Sequence, residues 1–345
     1  MSLPAHEGTA SDRLRAAWRT RNPLACALWP LSALYGALGR LQHQLYARGV
    51  LQAQHPGVPV LVIGNVIAGG AGKTPVTLAT VAHLRARGLR PGIISRGYGR
   101  DTQDCREATV NARPQEVGDE PLLMARSSGV PVFVARQRID AARALLAAYP
   151  DTDILVCDDG LQHHALARDW EVCVFNNEGI GNGWLLPAGP LRERWPRPVT
   201  AVLHAAAHPP QGTPASTPCF RLARQLAAYA VGRDGQQVPL AQLRERRLHA
   251  VAAIARPEDF FAMLQAQDLA LHSTQALPDH YNFGSWSPPS DKAIQIICTE
   301  KDAAKIWQYA PQALAVPLQV QVDTGYFALL DAQLCLSFPS LNTKR

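Results

Sequence analysis

The feature that most constrains this 345-residue chain is a glycine-rich stretch set between a continuous apolar run and a helical pattern. Residues 58–66 read VPVLVIGNV. An apolar run without alternation, ending at a glycine turn, predicts a strand buried on both faces, as in a parallel sheet. The chain continues Asn65-Val66-Ile67-Ala68-Gly69-Gly70-Ala71-Gly72-Lys73-Thr74-Pro75. Val76, Leu78, Ala79, Val81, Ala82 and Leu84 then recur at helical spacing until Gly88. Strand, glycine loop and helix in that order is the context in which Gly-Lys-Thr points to phosphate binding. Glycines let successive N–H groups turn onto an anion, and the helix start adds partial positive charge. Residues 68–75 are therefore the expected cradle for a nucleotide. Lys73 is expected on the β- and γ-phosphates, with the Thr74 hydroxyl on Mg²⁺. The strict spacing asks for glycine at position 67, where Ile67 stands; Gly69, Gly70 and Gly72 offer the flexibility instead. The competing reading is a structural turn with an incidental Gly-Lys-Thr.

Further runs read as strands, at 131–135, 153–160 and 170–176, with 91–99 as a strand and its loop and a helical pattern over 139–148. This alternation predicts an α/β fold: a phosphate-loop NTPase-like, doubly wound, mostly parallel sheet with a second, smaller α/β domain. The run 154–157 ends on Asp158 and Asp159. An acid at a strand end beside a phosphate loop is a Mg²⁺ holder in such proteins, and the sequence leaves open which of the two faces the metal. The stretch AAAHPPQGTPASTP at 205–218 reads as a surface connection. It sets the expected domains: an N-terminal helical segment over 1–55, a phosphate-loop core over 56–205, and a smaller α/β domain over 206–345.

The net charge of +6 favours polyanionic partners without choosing among nucleotide, nucleic acid and lipid headgroups. Seven cysteines, an odd number with no CxxC pair, predict reduced thiols and exclude a zinc-ribbon reading. Residues 23–39 are apolar and uncharged, but short for a membrane span and interrupted by Pro30. They read either as an interfacial helix flanked by Arg19, Arg21, Arg40 and Arg48, or as a helix packed on the domain.

Taken together, GNVIAGGAGKTP (64–75), SRGYGR (95–100), VGDEPLLMA (117–125), DDGLQHH (158–164), LPAGPLRE (186–193), RPEDFF (256–261), LPDHYNF (277–283) and TEKDAAK (299–305) resemble the tetraacyldisaccharide 4′-kinase family, over about residues 28–308. Two departures occur: Ala255-Arg256 replaces a more usual glycine and small polar residue, and Tyr281 follows His280 where a second histidine is common. The resemblance implies ATP and Mg²⁺, and an acylated disaccharide lipid as acceptor at its 4′-hydroxyl. It implies a peripheral enzyme on the cytoplasmic face of the bacterial inner membrane, and so favours membrane contact by residues 23–39. Neither a nucleic acid nor an obligate protein partner is expected.

The resemblance also pairs Asp119 with His280. Asp119 is the expected base for the sugar hydroxyl, whose proton must be accepted as the bond to phosphorus forms. Read alone, Asp119 is a helix cap before Pro121, and Lys301 and Asp302 open a helix without assigned chemistry. Glu193 is a further Mg²⁺ candidate, and Arg192 a candidate to donate hydrogen bonds to phosphate through its planar fork. Asn65, Gln162 and His163 are expected along the same cleft. Ser95, Arg96 and Tyr98 are expected near the acceptor sugar or the phosphates. A switch GTPase would share the loop and the acidic strand end, but would need an NKxD segment, which the sequence lacks. A non-catalytic nucleotide-binding module would transfer no phosphate.

Overall fold

The structure is a computed structural model that describes residues 10–338. The first nine residues of the expected 1–55 segment, and residues 339–345 of the expected last domain, lie outside the described residues. Helices α1 (Ala10–Ala17) and α2 (Pro23–Ala47) precede β1 (Val60–Gly64), which leads through the glycine loop into α3 (Lys73–Ala86). There follow β2 (Pro91–Ser95), β3 (Arg106–Glu107), α4 (Pro114–Val117), α5 (Asp119–Ser128), β4 (Val132–Val134), α6 (Arg138–Ala148), β5 (Ile154–Asp158), β6 (Trp170–Phe175), β7 (Ala201–His204) and β8 (Cys219–Leu226). A second group comprises β9 (Tyr229–Val231), β10 (Gln237–Pro239), β11 (Leu248–Ala252), α7 (Pro257–Gln265), β12 (Leu271–Ala276), β13 (Gln295–Thr299), α8 (Glu300–Ile306) and β14 (Leu314–Val316). The chain ends in β15 (Leu318–Val322) and α9 (Thr324–Ser337).

The strands form a nine-stranded sheet, β15-β8-β7-β6-β1-β5-β2-β4-β3, and a six-stranded sheet, β10-β9-β14-β13-β11-β12. In the larger sheet the inner neighbours run parallel, and the two edge pairs run antiparallel. Every residue of β1 and β5 is buried, as the unalternating apolar runs require. Successive side chains point to opposite faces. Leu61, Ile63 and Val156 therefore share a core with Val76, Val81 and Leu84 of α3, while Val60, Val62 and Leu155 pack with Ile139, Ala142 and Leu145 of α6. This clamps β1 and β5 side by side and fixes the loops at their C-terminal ends. From β5 the chain crosses past β1 to reach β6, so β1 and β5 flank a topological switch point, where ligands of open α/β sheets bind.

The expected boundary at 205/206 is not where the sheets divide. Residues 205–218 connect β7 to β8, which pair in parallel within the larger sheet. After the second sheet, β15 returns to pair with β8, and Tyr326, Leu330 and Leu334 of α9 join the first core. The second unit is thus inserted between β8 and β15. The compositional shift at 205–218 marks exposure of a connecting loop, and exposure alone does not mark a domain crossing.

Pro30 does not interrupt α2, which runs unbroken to Ala47. Proline removes one intrahelical bond, and a long helix with many others absorbs that loss. Asn22 caps the helix by accepting a hydrogen bond from Ala25 N at 2.9 Å. The buried positions are small: Ala25, Ser32 and Gly36. Ser32 Oγ donates to Leu185 O at 2.8 Å and accepts from Ala188 N at 2.9 Å. Trp29, Leu31, Leu34, Leu38 and Leu41 face outward and are exposed. By length and composition alone the helix is apolar enough to cross a bilayer. No disulfide joins the cysteines of the described residues; Cys157, Cys173 and Cys298 are buried in strands.

Candidate active site

The glycine loop takes its shape from left-handed backbone at Gly69 (φ 103°) and Gly72 (φ 84°), conformations that side chains oppose. Gly72 caps α3, so Lys73 and Thr74 open the helix with unpaired N–H groups around them. Ile67 replaces the strict glycine because residue 67 does not turn. It is buried and bridges Leu191, while Ala68 N donates to Pro190 O and Arg192 N to Val66 O, both at 2.7 Å. The 190–192 segment thus braces the loop, and α2 braces that segment through Tyr35 Oη, which donates to Arg192 O at 2.7 Å. Residues 68–75 line a cavity of about 580 Å³.

Asp158 closes β5 and Asp159 follows it with a left-handed φ of 50°. Asp158 is buried and accepts a hydrogen bond from Thr77 Oγ1 at 3.2 Å. Burial, then the charges of Glu120 and Asp159, push its carboxyl up to about 7 against the pull of Lys73. Burial also raises Asp159, but Lys73 and Arg192 outweigh it and hold that carboxyl below the ordinary range. Lys73 Nζ lies 3.8 Å from Asp159 Oδ2, and Arg192 Nη1 lies 2.9 Å from Asp159 Oδ1.

The same cavity is also lined by Ser95, Arg96, Tyr98, Glu120, Asp279, His280 and Lys301. Gly118 (φ 93°, ψ 156°) adopts a conformation open essentially only to glycine, and a Cβ there would lie 2.8 Å from Tyr98 O. That turn sets Asp119 as the first residue of α5. His280 also holds a left-handed φ of 61°, and its Nδ1 lies 3.1 Å from Asp119 Oδ2. The two expected partners therefore meet, but unequally. His280 lines the cavity with the Tyr98 ring 5.2 Å away, whereas Asp119 is 8% exposed and lies behind it.

The remaining expected residues divide. Arg192 lines the cavity and also donates to Asn65 Oδ1 at 2.9 Å. Asn65, Gln162, His163 and Glu193 stand outside the lining. The Glu193 carboxylate is engaged by Arg197 Nη1 at 3.0 Å and by Gln162 Nε2, within a ladder that continues through Glu171 to Arg168. His163 is neutral: burial and the charges of Arg138 and Arg168 push it down to about 4. Its Nε2 accepts from Arg138 N at 3.3 Å. Among the described residues no group of three or more His, Cys, Asp or Glu side chains forms a ready-made metal cluster.

Several residues at the cavity wall or just behind it escaped sequence reasoning. Arg138, 5% exposed, donates from Nη2 to Asp159 O at 2.9 Å. Arg224 on β8 donates from Nη2 to Ala71 O at 2.6 Å and packs against Gly72. Lys305 Nζ reaches Asp119 Oδ2 at 2.7 Å. Arg138 and Arg224 carry no local motif, and Lys305 closes the TEKDAAK block without an assigned role; strand order and helix packing bring them in.

A parallel sheet with a phosphate loop after β1, an acidic pair after the adjacent β5 and an acid–imidazole pair across one cavity defines a phosphate-loop kinase. The family model described as tetraacyldisaccharide-1-P 4′-kinase matches residues 24–335. The tetraacyldisaccharide 4′-kinase of Acidovorax sp. (strain JS42) is 62% identical over 97% of this chain and 98% of its own length. That of Delftia acidovorans is 61% identical over 94% of this chain and 95% of its own. A solved structure of LpxK from Aquifex aeolicus in complex with ATP superposes with a TM-score of 0.77 at 26% identity, covering 90% of this chain and 99% of that one. The chain belongs to the tetraacyldisaccharide 4′-kinase family.

Proposed function

We infer, from family membership and the site together, that the chain moves the γ-phosphate of ATP to the 4′-hydroxyl of tetraacyldisaccharide 1-phosphate in lipid A biosynthesis. The observation that carries the reading is the convergence on one cavity of the phosphate loop, Lys73 and His280, with Asp119 bonded to His280 from behind.

The loop amides and Lys73 hold the phosphate tail and offset the charge that develops on the transferring group. Arg192 and Arg138 supply further positive charge at the same wall. The acceptor hydroxyl gives its proton to the Asp119–His280 pair as its oxygen attacks phosphorus. Asp119 was the expected base, yet its carboxylate is held ionised below the ordinary range, which weakens it as a proton acceptor. His280 is the member that faces the cavity, so the imidazole takes the proton and Asp119 orients it through Nδ1. Tyr98, Arg96 and Ser95 position the acceptor.

Mg²⁺ fits the residues beneath the loop. Asp158 is a buried carboxyl that resists ionisation beside Asp159 and Glu120, an environment that a cation relieves, and the Thr74 hydroxyl opens α3 beside them. Asp158 or Asp159, with Thr74, would hold the ion, which when bound neutralises charge on the phosphates. Glu193 is committed to Arg197 and Gln162 and orders the wall instead. The outward leucines of α2 supply an apolar face for the cytoplasmic surface of the inner membrane, where the lipid acceptor would be met.

The test is incubation with γ-labelled ATP and the lipid disaccharide, with the product analysed for a new 4′-phosphate monoester. The label should appear on the acceptor. ATP hydrolysis without acceptor labelling would overturn the reading in favour of a nucleotide switch.

A further inference from the structure

Lys305 stands on α8, in the inserted unit, and its Nζ ends 2.7 Å from Asp119 Oδ2 on α5 of the larger sheet's unit. The contact is sealed: the two side chains are 8% and 7% exposed. A lysine and a carboxylate at this distance, shielded from water, form a charge-assisted hydrogen bond, and loss of either partner strands the other. Tyr281 O accepts a second bond from Lys305 Nζ at 3.2 Å, which fixes the ammonium in place.

Lys301 lies one helical turn earlier and leaves the same face of α8. Its Nζ lines the cavity, 3.3 Å from His280 Nε2, 3.4 Å from Glu120 and 3.5 Å from Asp279. The two lysines divide the pair between them: Lys301 addresses the imidazole and Lys305 the carboxylate. The charged and titratable groups around the Asp119–His280 pair are Glu120 on the helix of Asp119, Asp279 from the segment after β12, and Lys301, Asp302 and Lys305 from α8. Burial raises the proton affinity of Asp119. Hydrogen bonds from His280 and Lys305, and the charges of Lys305 and Lys301, more than offset that effect.

An ionised Asp119 can only accept. It then takes one bond from Lys305 Nζ and one from His280 Nδ1–H, which leaves Nε2 as the proton-accepting nitrogen. A protonated Asp119 would withdraw that acceptor and release the ring from its tautomer.

We propose that Lys305 is a positioning residue for phosphoryl transfer, which holds Asp119 ionised across the junction of the two units so that His280 keeps its accepting nitrogen toward the cavity. The proposal rests on the reading of Asp119 and His280 as the proton-accepting pair. It also makes docking of the inserted unit a condition for an ordered base.

The experiment is the pH profile of kcat in the full-length protein, with ATP and the lipid disaccharide, for Lys305→Met, Lys305→Gln and Lys305→Arg. Without the ammonium, Asp119 gains proton affinity, so the acid limb moves to higher pH. Lys305→Met and Lys305→Gln should lose about tenfold in kcat at pH 6, recover toward the parent at pH 9, and keep KM for ATP within about twofold. Lys305→Arg should retain most of the parental profile. Thermal melts accompany each variant, and Lys305→Gln keeps a hydrogen-bond donor should Lys305→Met fail to fold. An unchanged profile, or an equal loss at every pH, overturns the role of Lys305. Asp119→Asn separates the two readings. If it keeps parental kcat, the pair itself is misassigned and Lys305 falls with it. If it collapses while the Lys305→Gln profile matches the parent, only the Lys305 role is refuted.

Discussion

Asp158 and Asp159 are consecutive, yet Asp158 Oδ1 accepts from Thr77 Oγ1 at 3.2 Å while Asp159 Oδ1 accepts from Arg192 Nη1 at 2.9 Å. The left-handed φ at Asp159 ends the strand and sends the second carboxylate to a different partner. One acid is sealed against α3 with a hydroxyl for company; the other joins two cations. Burial therefore wins at Asp158 and charge wins at Asp159.

Asp158 consequently costs stability when it ionises in the metal-free protein. Its folded value of about 7 lies above the ordinary 3.8, so the protonated form is favoured by folding. The associated stability is complete below pH 4 and is lost as pH rises to 7. Asp158→Asn cannot ionise and keeps a partner for Thr77. Its melting temperature should match the parent near pH 4 and exceed it by roughly 3 °C at pH 8 in chelator. Turnover should fall by about a hundredfold or more. A variant less stable than the parent at pH 8 would show that Asp158 is ionised and already compensated.

The phosphate loop and the acidic strand end were legible in the sequence because each is contiguous. An unalternating run, glycines with left-handed φ and a helical period all act within a dozen residues. The same local signals located β1, β2, β4, β5, β6 and α3, with the ends of β1, β2 and β5 lying inside the apolar runs that marked them. What stayed hidden depends on strand order. Arg224 meets Ala71 only because β8 and β15 close the edge of the sheet over the loop, and Lys305 meets Asp119 only because the inserted unit docks on α5. The Asp119–His280 pair was reached by resemblance and by no spacing. Pro30 and the 205–218 stretch misled for one reason: a helix breaker and a polar composition state local tendencies, which packing on the 184–192 segment and pairing of β7 with β8 override.

Gly118 offers a sharp test of how Asp119 is placed. Its φ of 93° with ψ of 156° excludes a side chain, and a Cβ would lie 2.8 Å from Tyr98 O. Gly118→Ala should cost about 1–3 kcal/mol of stability and turn Asp119 away from His280. The kinetic signature is a large fall in kcat with KM for ATP nearly constant, since Gly118 takes no part in the phosphate loop over residues 68–75. A rise in KM for ATP with kcat preserved would place Gly118 in nucleotide binding instead.

Lys73 opens α3 with its ammonium 3.8 Å from Asp159, so its removal subtracts one cation from the phosphate end of the cavity. Lys73→Ala should lower kcat by about a thousandfold. Folding should be little changed, because the side chain takes no part in either hydrophobic core. Melting curves without nucleotide should stay cooperative but fall modestly below the parent, since Asp159 then keeps only Arg192, and the stabilising shift on adding ATP should shrink. Retention of most of the activity would refute the role assigned to this lysine.

The two faces of α2 should respond oppositely to substitution. Leu31, Leu34 and Leu38 are 56%, 59% and 59% exposed, so replacing all three with serine removes no protein contact of consequence and should leave the melting temperature within about a degree. The triple variant should lose co-sedimentation with phosphatidylethanolamine vesicles containing phosphatidylglycerol, and lose activity on vesicle-borne acceptor but not on acceptor dispersed in detergent. Gly36 lies on the other face, where even a Cβ would stand 2.6 Å from Leu185 Cδ1. Gly36→Leu should therefore force α2 off the 184–192 segment, cost about 1–3 kcal/mol, and impair activity in detergent as well, because that segment carries Arg192 and braces the phosphate loop. If the triple serine variant still sediments with vesicles and phosphorylates acceptor there at the parental rate, the outward leucines are not a membrane-contact face.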